Sequence, residues 1–284
     1  MDISTLKIGI IGQGFVGDAI FQKFKSFFEV YTYDLKKDLC NSSFDYISKN
    51  CELVFICLPT PMNVDGSCNF SLVEENISKL SKSKNRIIVI KSTVIPGTTE
   101  KLNKKYKNGD IIFNPEFLTE RNAVNDFNNQ NRIILGGPRP SSSILKQVYS
   151  RVFPKAHIIK TGSTHAEFIK YFTNCFLATK VIFSNEMYFM CKSLGLDYDK
   201  VVEYSTLDER LGKSHWSVPG PDGDFGFGGH CFPKDLSALL NLSESLNSTN
   251  LLLKSVKFSN DKLRNNRDWE KMIGRAVIKS KNKN

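Results

Sequence analysis

The sequence predicts an α/β fold: an N-terminal doubly wound parallel sheet, then a long interdomain helix and a small all-α domain. Three observations carry that expectation. Short, continuously apolar runs alternate with amphipathic helical stretches through the first half, as in a parallel sheet covered on both faces. A glycine-rich turn joins the first apolar run to the first helical stretch. Beyond residue 162 the strand-like runs stop and helical spacing takes over.

Residues 7–11 form the first strand and run directly into Gly12-Gln13-Gly14-Phe15-Val16-Gly17. Ala19, Ile20, Phe24 and Phe27 follow at helical spacing, and residues 28–33 make a second strand ending in Asp34, 22 residues after Gly12. Strand, glycine turn, helix and acid at this spacing are the complete dinucleotide fingerprint of a Rossmann-type sheet. Gly12 permits the tight turn, Gly14 a close approach of backbone to a pyrophosphate, and Gly17 close packing of helix on strand. Asp34 is placed to accept hydrogen bonds from ribose hydroxyls and repels a 2′-phosphate, so NAD is the expected cofactor. Lys36 and Lys37 soften that preference and leave NADP as the lesser alternative.

Further strands are expected at residues 53–58, stopped by Pro59-Thr60-Pro61, and at 86–90, followed by Lys91-Ser92-Thr93. Residues 111–113 run into Asn114-Pro115-Glu116, and another strand follows at 132–137. Ligands bind beyond the carboxyl ends of such strands, so Thr60, Thr93 and Glu116 are candidates for one site. Taken singly, Thr93 reads better as a helix cap or turn hydroxyl, and Glu116 better as a solvated loop acid.

Residues 164–194 read as one helix, apolar on more than one face, which suits burial between domains. Lys170 and Asn174 share a face within it, and a lysine so placed either snorkels outward or has its pKa lowered for work. Shorter helices are expected at 198–205, 233–246 and 250–264, then an amphipathic piece at 269–278 leading into a basic, frayed tail. The expected domains are 1–162, a dinucleotide-binding domain, 163–265, a helical domain, and 266–284, a C-terminal helix and tail.

The run Gly226-Phe227-Gly228-Gly229-His230-Cys231-Phe232-Pro233-Lys234-Asp235 places one thiol after a flexible turn, two residues before a proline suited to open a helix. The unpaired amides and dipole of a first turn favour a thiolate at Cys231. Asp235 lies about one turn on. A buried structural cysteine is the competing reading.

Bulk properties narrow the rest. At 284 residues the chain suits about two domains. Its net charge of +10 comes from dispersed lysines without a stripe of stacking aromatics. That argues against a nucleic-acid partner and suits a phosphate-bearing small molecule. Seven cysteines without framework spacing point to a reducing cytoplasm. There is no CxxC or HExxH, so no metal is expected. Neither a membrane-spanning run nor a secretory leader is read.

Together these motifs resemble the UDP-glucose/GDP-mannose dehydrogenase family. The resemblance is carried by the glycine fingerprint, Leu58-Pro59-Thr60-Pro61, Lys91-Ser92-Thr93-Val94-Ile95-Pro96-Gly97 and Asn114-Pro115-Glu116-Phe117-Leu118-Thr119-Glu120. It continues through Lys170 with Asn174, Arg210-Leu211-Gly212 and the cysteine run, covering residues 7 to about 265. It implies oxidation of a nucleotide-sugar primary alcohol to the acid in two NAD-dependent steps, with UDP-glucose the expected substrate. Cys231 is then the nucleophile, forming a thiohemiacetal and a thioester. Lys170 and Asn174 polarise the sugar oxygen, and Glu116 is the base for the hydrolytic water, with Thr93 and Asp235 positioning it. The cofactor positions implied are Gly12, Gln13, Gly14, Phe15, Val16, Gly17, Asp34, Pro59, Thr60, Ser92, Thr93, Glu120 and Lys234. The substrate positions are Glu116, Phe117, Leu118, Glu120, Lys170, Asn174, Arg210, Phe225, Gly226, Phe227 and Gly228. In the family the equivalent of Arg210 reaches across a subunit boundary, which implies a homodimer or larger homo-oligomer.

Two departures stand out. The family usually carries a third, C-terminal domain that grips the nucleotide, and the resemblance reaches none here, so that side of the pocket is expected to be open, formed by the loop or tail, or supplied by another subunit. The loop between Arg210 and Cys231 is longer than is common. Two other readings remain: a two-domain 3-hydroxyacid dehydrogenase, which needs no thiol, and a non-catalytic nucleotide-binding relic.

Overall fold

The computed structural model describes residues 3–83, 86–107 and 109–279. The basic tail expected at the C-terminus falls largely outside the described residues. Among the described residues, seven strands, β1 (Lys7–Ile11), β2 (Glu29–Tyr33), β3 (Leu53–Ile56), β4 (Ile87–Ile90), β5 (Asp110–Phe113), β6 (Arg132–Gly136) and β7 (His157–Thr161), form one sheet in the order β2-β1-β3-β4-β5-β6-β7. The first helices are α1 (Phe15–Phe24), α2 (Phe44–Asn50), α3 (Ser71–Leu80), α4 (Thr98–Lys105), α5 (Ala123–Asn128) and α6 (Ser141–Val152). Then come α7 (Ser163–Leu194), α8 (Tyr198–Ser205), α9 (Cys231–Ser245) and α10 (Leu251–Leu263).

Side chains of a strand alternate between faces. Ile8, Ile10, Phe55, Val89 and Ile112 therefore enter one core, while Ile11, Val54, Ile56, Ile88, Ile90 and Phe113 enter the other. With both faces covered, the strands read as unbroken apolar runs.

The expected parallel sheet is present, with one antiparallel junction. β5 and β6 pair antiparallel, and β7 runs parallel to β6. β7 is an edge strand whose exposed and half-buried residues carry no apolar run, and it has no counterpart in the sequence expectation.

The chain divides into two compact units, residues 1–60 with 69–170 and residues 61–68 with 171–284. In the second, Cys175, Ala178 and Ile182 of α7 pack with Phe227, Leu236, Leu240 and Val256. The helix expected at 269–278 is not formed. A 3-10 turn at Asp268–Lys271 precedes Gly274, whose φ of +79° breaks helical geometry. Met62 then bridges to Val277.

Candidate active site

In the first unit the glycine turn is built as the sequence requires. Gly12 has φ +94°, and a Cβ there would collide with the Cys57 carbonyl. A Cβ on Gly17 would strike the Gly12 carbonyl, whereas Gly14 faces open space. Gly14 is the N-cap of α1 and makes no side-chain capping hydrogen bond, and a helix start of this kind suits a phosphate. Asp34 accepts the Gln13 amide at 2.7 Å through one carboxylate oxygen and the Lys36 amide at 3.0 Å through the other. Gln13 turns its side chain back onto the Gly12 carbonyl at 3.3 Å.

At the strand ends, Thr60, Ser92 and Thr93 are buried, while Pro59 is exposed. Ser92 is a structural clamp: its hydroxyl accepts the Leu58 amide at 3.0 Å and lies 3.4 Å from the Ile56 carbonyl. Glu120 opens an exposed 3-10 turn, Glu120–Asn122.

Glu116 and Lys170 meet across 54 residues of sequence. The Lys170 ammonium donates to Glu116 Oε1 at 2.8 Å and to the Glu116 carbonyl at 2.7 Å. Glu116 Oε2 accepts the Leu118 amide at 2.7 Å. Both are buried, Lys170 at 3 % exposure, so neither the snorkelling lysine nor the solvated acid of the simpler readings occurs. Burial alone would raise the Glu116 carboxyl, but the charge and hydrogen bond of Lys170, with the Leu118 amide, hold it below its ordinary value. The Phe117 ring packs beneath the Lys170 ammonium at 5.5 Å and the Arg132 guanidinium at 4.3 Å.

The second unit presents the thiol. α9 begins at Cys231 itself, with His230 at the N-cap, two residues earlier than the proline position suggested. Cys231 is partly exposed, and its sulfur lies 3.4 Å from His230 Nε2. One turn on, Asp235 is 1 % exposed and accepts from Asn174 Nδ2 at 2.6 Å and from the Lys234 ammonium at 2.5 Å. Burial pulls the Lys234 ammonium down, but the Asp235 carboxylate outweighs it and keeps the lysine protonated. Asp235 therefore holds Asn174 and Lys234.

The loop before Cys231 is tied to α10 and the turn beyond it. Asn260 accepts the Phe227 amide at 2.7 Å and donates to its carbonyl at 3.1 Å, and Asp268 accepts the Gly229 amide at 3.1 Å. A Cβ on Gly226 would collide with Asn260, and one on Gly228 with Arg264. Arg264 in turn pairs with Asp222, and its Nη1 donates to the Phe225 carbonyl at 3.4 Å. Phe225 packs on Phe189 at 5.0 Å between ring centroids.

The expected residues thus fall into two clusters, Glu116, Phe117, Leu118 and Lys170 in one unit, and Asn174, Cys231, Lys234, Asp235 and the Phe225–Gly229 loop in the other. Arg210 joins neither; it is exposed and paired with Asp208 at 2.5 Å. Sequence reasoning missed His230 as a partner of the thiol, and its adjacency to Cys231 was the available signal. Among the described residues, no group of three His, Cys, Asp or Glu side chains is arranged to hold a metal ion. None of the described helices is long and apolar enough to cross a membrane.

Residues 34–153 match the UDP-glucose/GDP-mannose dehydrogenase family, NAD binding domain, and residues 164–262 match its central domain. Over 220 residues the chain is 39% identical to a UDP-glucose 6-dehydrogenase of Rickettsia bellii, covering 75% of this chain and 50% of that protein. The chain therefore spans about half the length of the relatives it matches. A UDP-glucose dehydrogenase from the archaeon Pyrobaculum islandicum superposes with a TM-score of 0.82 at 28% identity, covering 91% of this chain and 68% of that one. A 3-hydroxyisobutyrate dehydrogenase of Mycobacterium tuberculosis shares the fold, with a TM-score of 0.72 at 17% identity over 91% of this chain and 93% of that one.

Proposed function

The chain belongs to the UDP-glucose/GDP-mannose dehydrogenase family, and from that premise we propose that it oxidises the primary alcohol of a nucleotide-linked hexose, UDP-glucose, to the uronate with NAD as acceptor. The observation that carries the reading is a partly exposed thiol on the first residue of a helix with an imidazole at 3.4 Å. A thiol that only filled space would need neither.

The glycine turn fits NAD. Open space faces Gly14, no side chain caps α1 at that residue, and the Asp34 carboxylate disfavours a 2′-phosphate. NAD, when bound, supplies the acceptor for both hydrides. The chain's own groups do the rest. Lys170 and Asn174, four residues apart on α7, steady the alcohol oxygen as negative charge develops on it. His230 takes the thiol proton of Cys231, and the sulfur bonds to the aldehyde carbon while the carbonyl oxygen gains a proton. That carbon again bears a removable hydride, which an aldehyde in dry surroundings does not offer. In the final step Glu116 accepts a proton from water, the water oxygen bonds to the thioester carbon, and the carbon–sulfur bond breaks to release Cys231 as thiolate. None of the seven cysteines is in a disulfide, which suits a reducing, cytoplasmic setting.

The purified chain given NAD and UDP-glucose is expected to form two NADH for each uronate. One NADH per sugar, or none with any nucleotide sugar despite NAD binding, refutes the reading.

A homodimer is part of the proposal. Phe172, Phe176, Phe183, Met190 and Leu194 of α7 are at least half exposed, at spacings of four and seven that place them on one helical stripe. A charge on that stripe opposes its burial against a second copy. Phe176→Asp is expected to sediment as a monomer at micromolar concentration where the parent chain sediments as a dimer. A monomeric parent chain removes the dimer from the proposal.

A further inference from the structure

Lys91, at the carboxyl end of β4, is a buried cation outside the steps above. The residue is 4 % exposed, and its ammonium donates to two neutral acceptors, Asn114 Oδ1 at 3.0 Å and the Pro115 carbonyl at 3.5 Å. The next carbonyl along, that of Glu116, is held by Lys170. Two ammonium groups therefore grip consecutive carbonyls of one turn, and that turn presents a single carboxylate. Asn114 is locked in orientation, because its Nδ2 donates to the Ile134 carbonyl at 2.8 Å and the Tyr149 hydroxyl also donates to its Oδ1, at 2.5 Å. Lys91 cannot drift from Glu116 without breaking this set.

We propose that Lys91 is a positioning residue that acts through Glu116: its positive charge beneath the 114–116 turn keeps the Glu116 carboxylate ionised and seated on Lys170. The proposal rests on the reading of Glu116 as the group that activates water. Lys91 touches no reacting atom in that scheme; it sets the charge balance beneath one. The titratable groups facing it are the Cys57 thiol, Glu116, Lys170 and, across Asn114, the Tyr149 hydroxyl. Burial pushes Cys57 up to about 12 and raises Tyr149 well above its usual range, so neither supplies negative charge near neutral pH. Two cations then face one anion, and a buried excess of positive charge is relieved by loss of a proton. Lys91, whose acceptors are neutral, is the group placed to lose it; burial lowers it to about 8, the Glu116 carboxylate partly offsetting the fall and the Lys170 charge adding to it. Below that pH the Lys91 charge is present and favours ionised Glu116; above it the charge is lost and the turn is held by Lys170 alone.

The test is a carbon-13 titration of Glu116 in the full chain without substrate, its signal assigned by loss in Glu116→Gln. In the parent chain the signal is expected to inflect a second time near pH 8, as Lys91 deprotonates. In Lys91→Gln, which keeps a donor for Asn114 and removes the charge, that inflection disappears and the Glu116 midpoint rises. An unmoved midpoint in Lys91→Gln overturns the proposal, as does a parent signal flat between pH 7 and about 9. The parent titration stands even if the variant fails to fold. Both readouts are independent of turnover, so a chain that forms no NADH sinks the catalytic reading without deciding the coupling.

Discussion

Cys231→Ser is expected to abolish uronate formation, by at least about 10⁴-fold, while NAD binding and the folded structure persist. The size of the effect follows from the chemistry of the step. A serine hydroxyl ionises far less readily than a thiol near neutral pH, and His230 at 3.4 Å supports transfer of a proton from sulfur more easily than from oxygen. Without a covalent adduct the aldehyde offers no second hydride, so oxidation stops after two electrons. The residue tolerates the change structurally, being partly exposed on the first turn of α9. The same variant separates the competing readings. A 3-hydroxyacid dehydrogenase has no use for the sulfur and keeps its rate within about twofold. A non-catalytic relic is silent before the substitution is made. Uronate formed by Cys231→Ser at the parent rate refutes covalent catalysis by this chain. The readouts are uronate by mass and NADH by absorbance, with NAD affinity measured separately.

What could be read from the sequence follows the range over which each feature is specified. Gly12, Gly14, Gly17 and Asp34 lie within one strand-turn-helix-strand unit, and each answers a local steric or electrostatic demand. Spacing therefore reveals them, and the structure sets Gly12 at φ +94° and Asp34 on the Gln13 amide. Cys231 is legible for the same reason, since the glycines before it and Pro233 after it describe a turn entering a helix. Glu116 and Lys170 are visible individually but not as a pair, because nothing local links residues 54 apart. Lys91 appears only as the first residue of a strand-end motif; its burial depends on what Asn114 and Tyr149 contribute from elsewhere. The reversal at β6 escapes the reading because apolar runs carry no direction, and β7 escapes it because an edge strand need not be apolar. The missing C-terminal helix shows the limit of periodicity: residues 269–278 have amphipathic spacing, but Gly274 and the bridge from Met62 to Val277 impose a different path.

Lys170→Met is expected to destabilise the chain by about 3–5 kcal/mol at neutral pH, because it leaves the Glu116 carboxylate buried without its cation. The pH dependence distinguishes this from a simple packing loss. In the parent chain Glu116 is held below its ordinary value, so its contribution is present above the unfolded carboxyl pKa and fades as the pH falls through the folded one. In Lys170→Met the dominant remaining influence is burial, which raises the carboxyl above its unfolded value. The sign then reverses: lowering the pH protonates Glu116 and restores stability. Urea unfolding at several pH values should therefore show the Glu116 contribution with opposite slopes in the two proteins. Adding Glu116→Gln to Lys170→Met removes the buried charge and should recover most of the loss, since deleting both partners of such a pair is far milder than deleting one. Parallel slopes in parent and variant contradict an ionised Glu116 held by Lys170. If instead the single and double variants are equally unstable, the lysine acts through its packing on Phe117, 5.5 Å from the ammonium, and the charge argument for this half of the site falls.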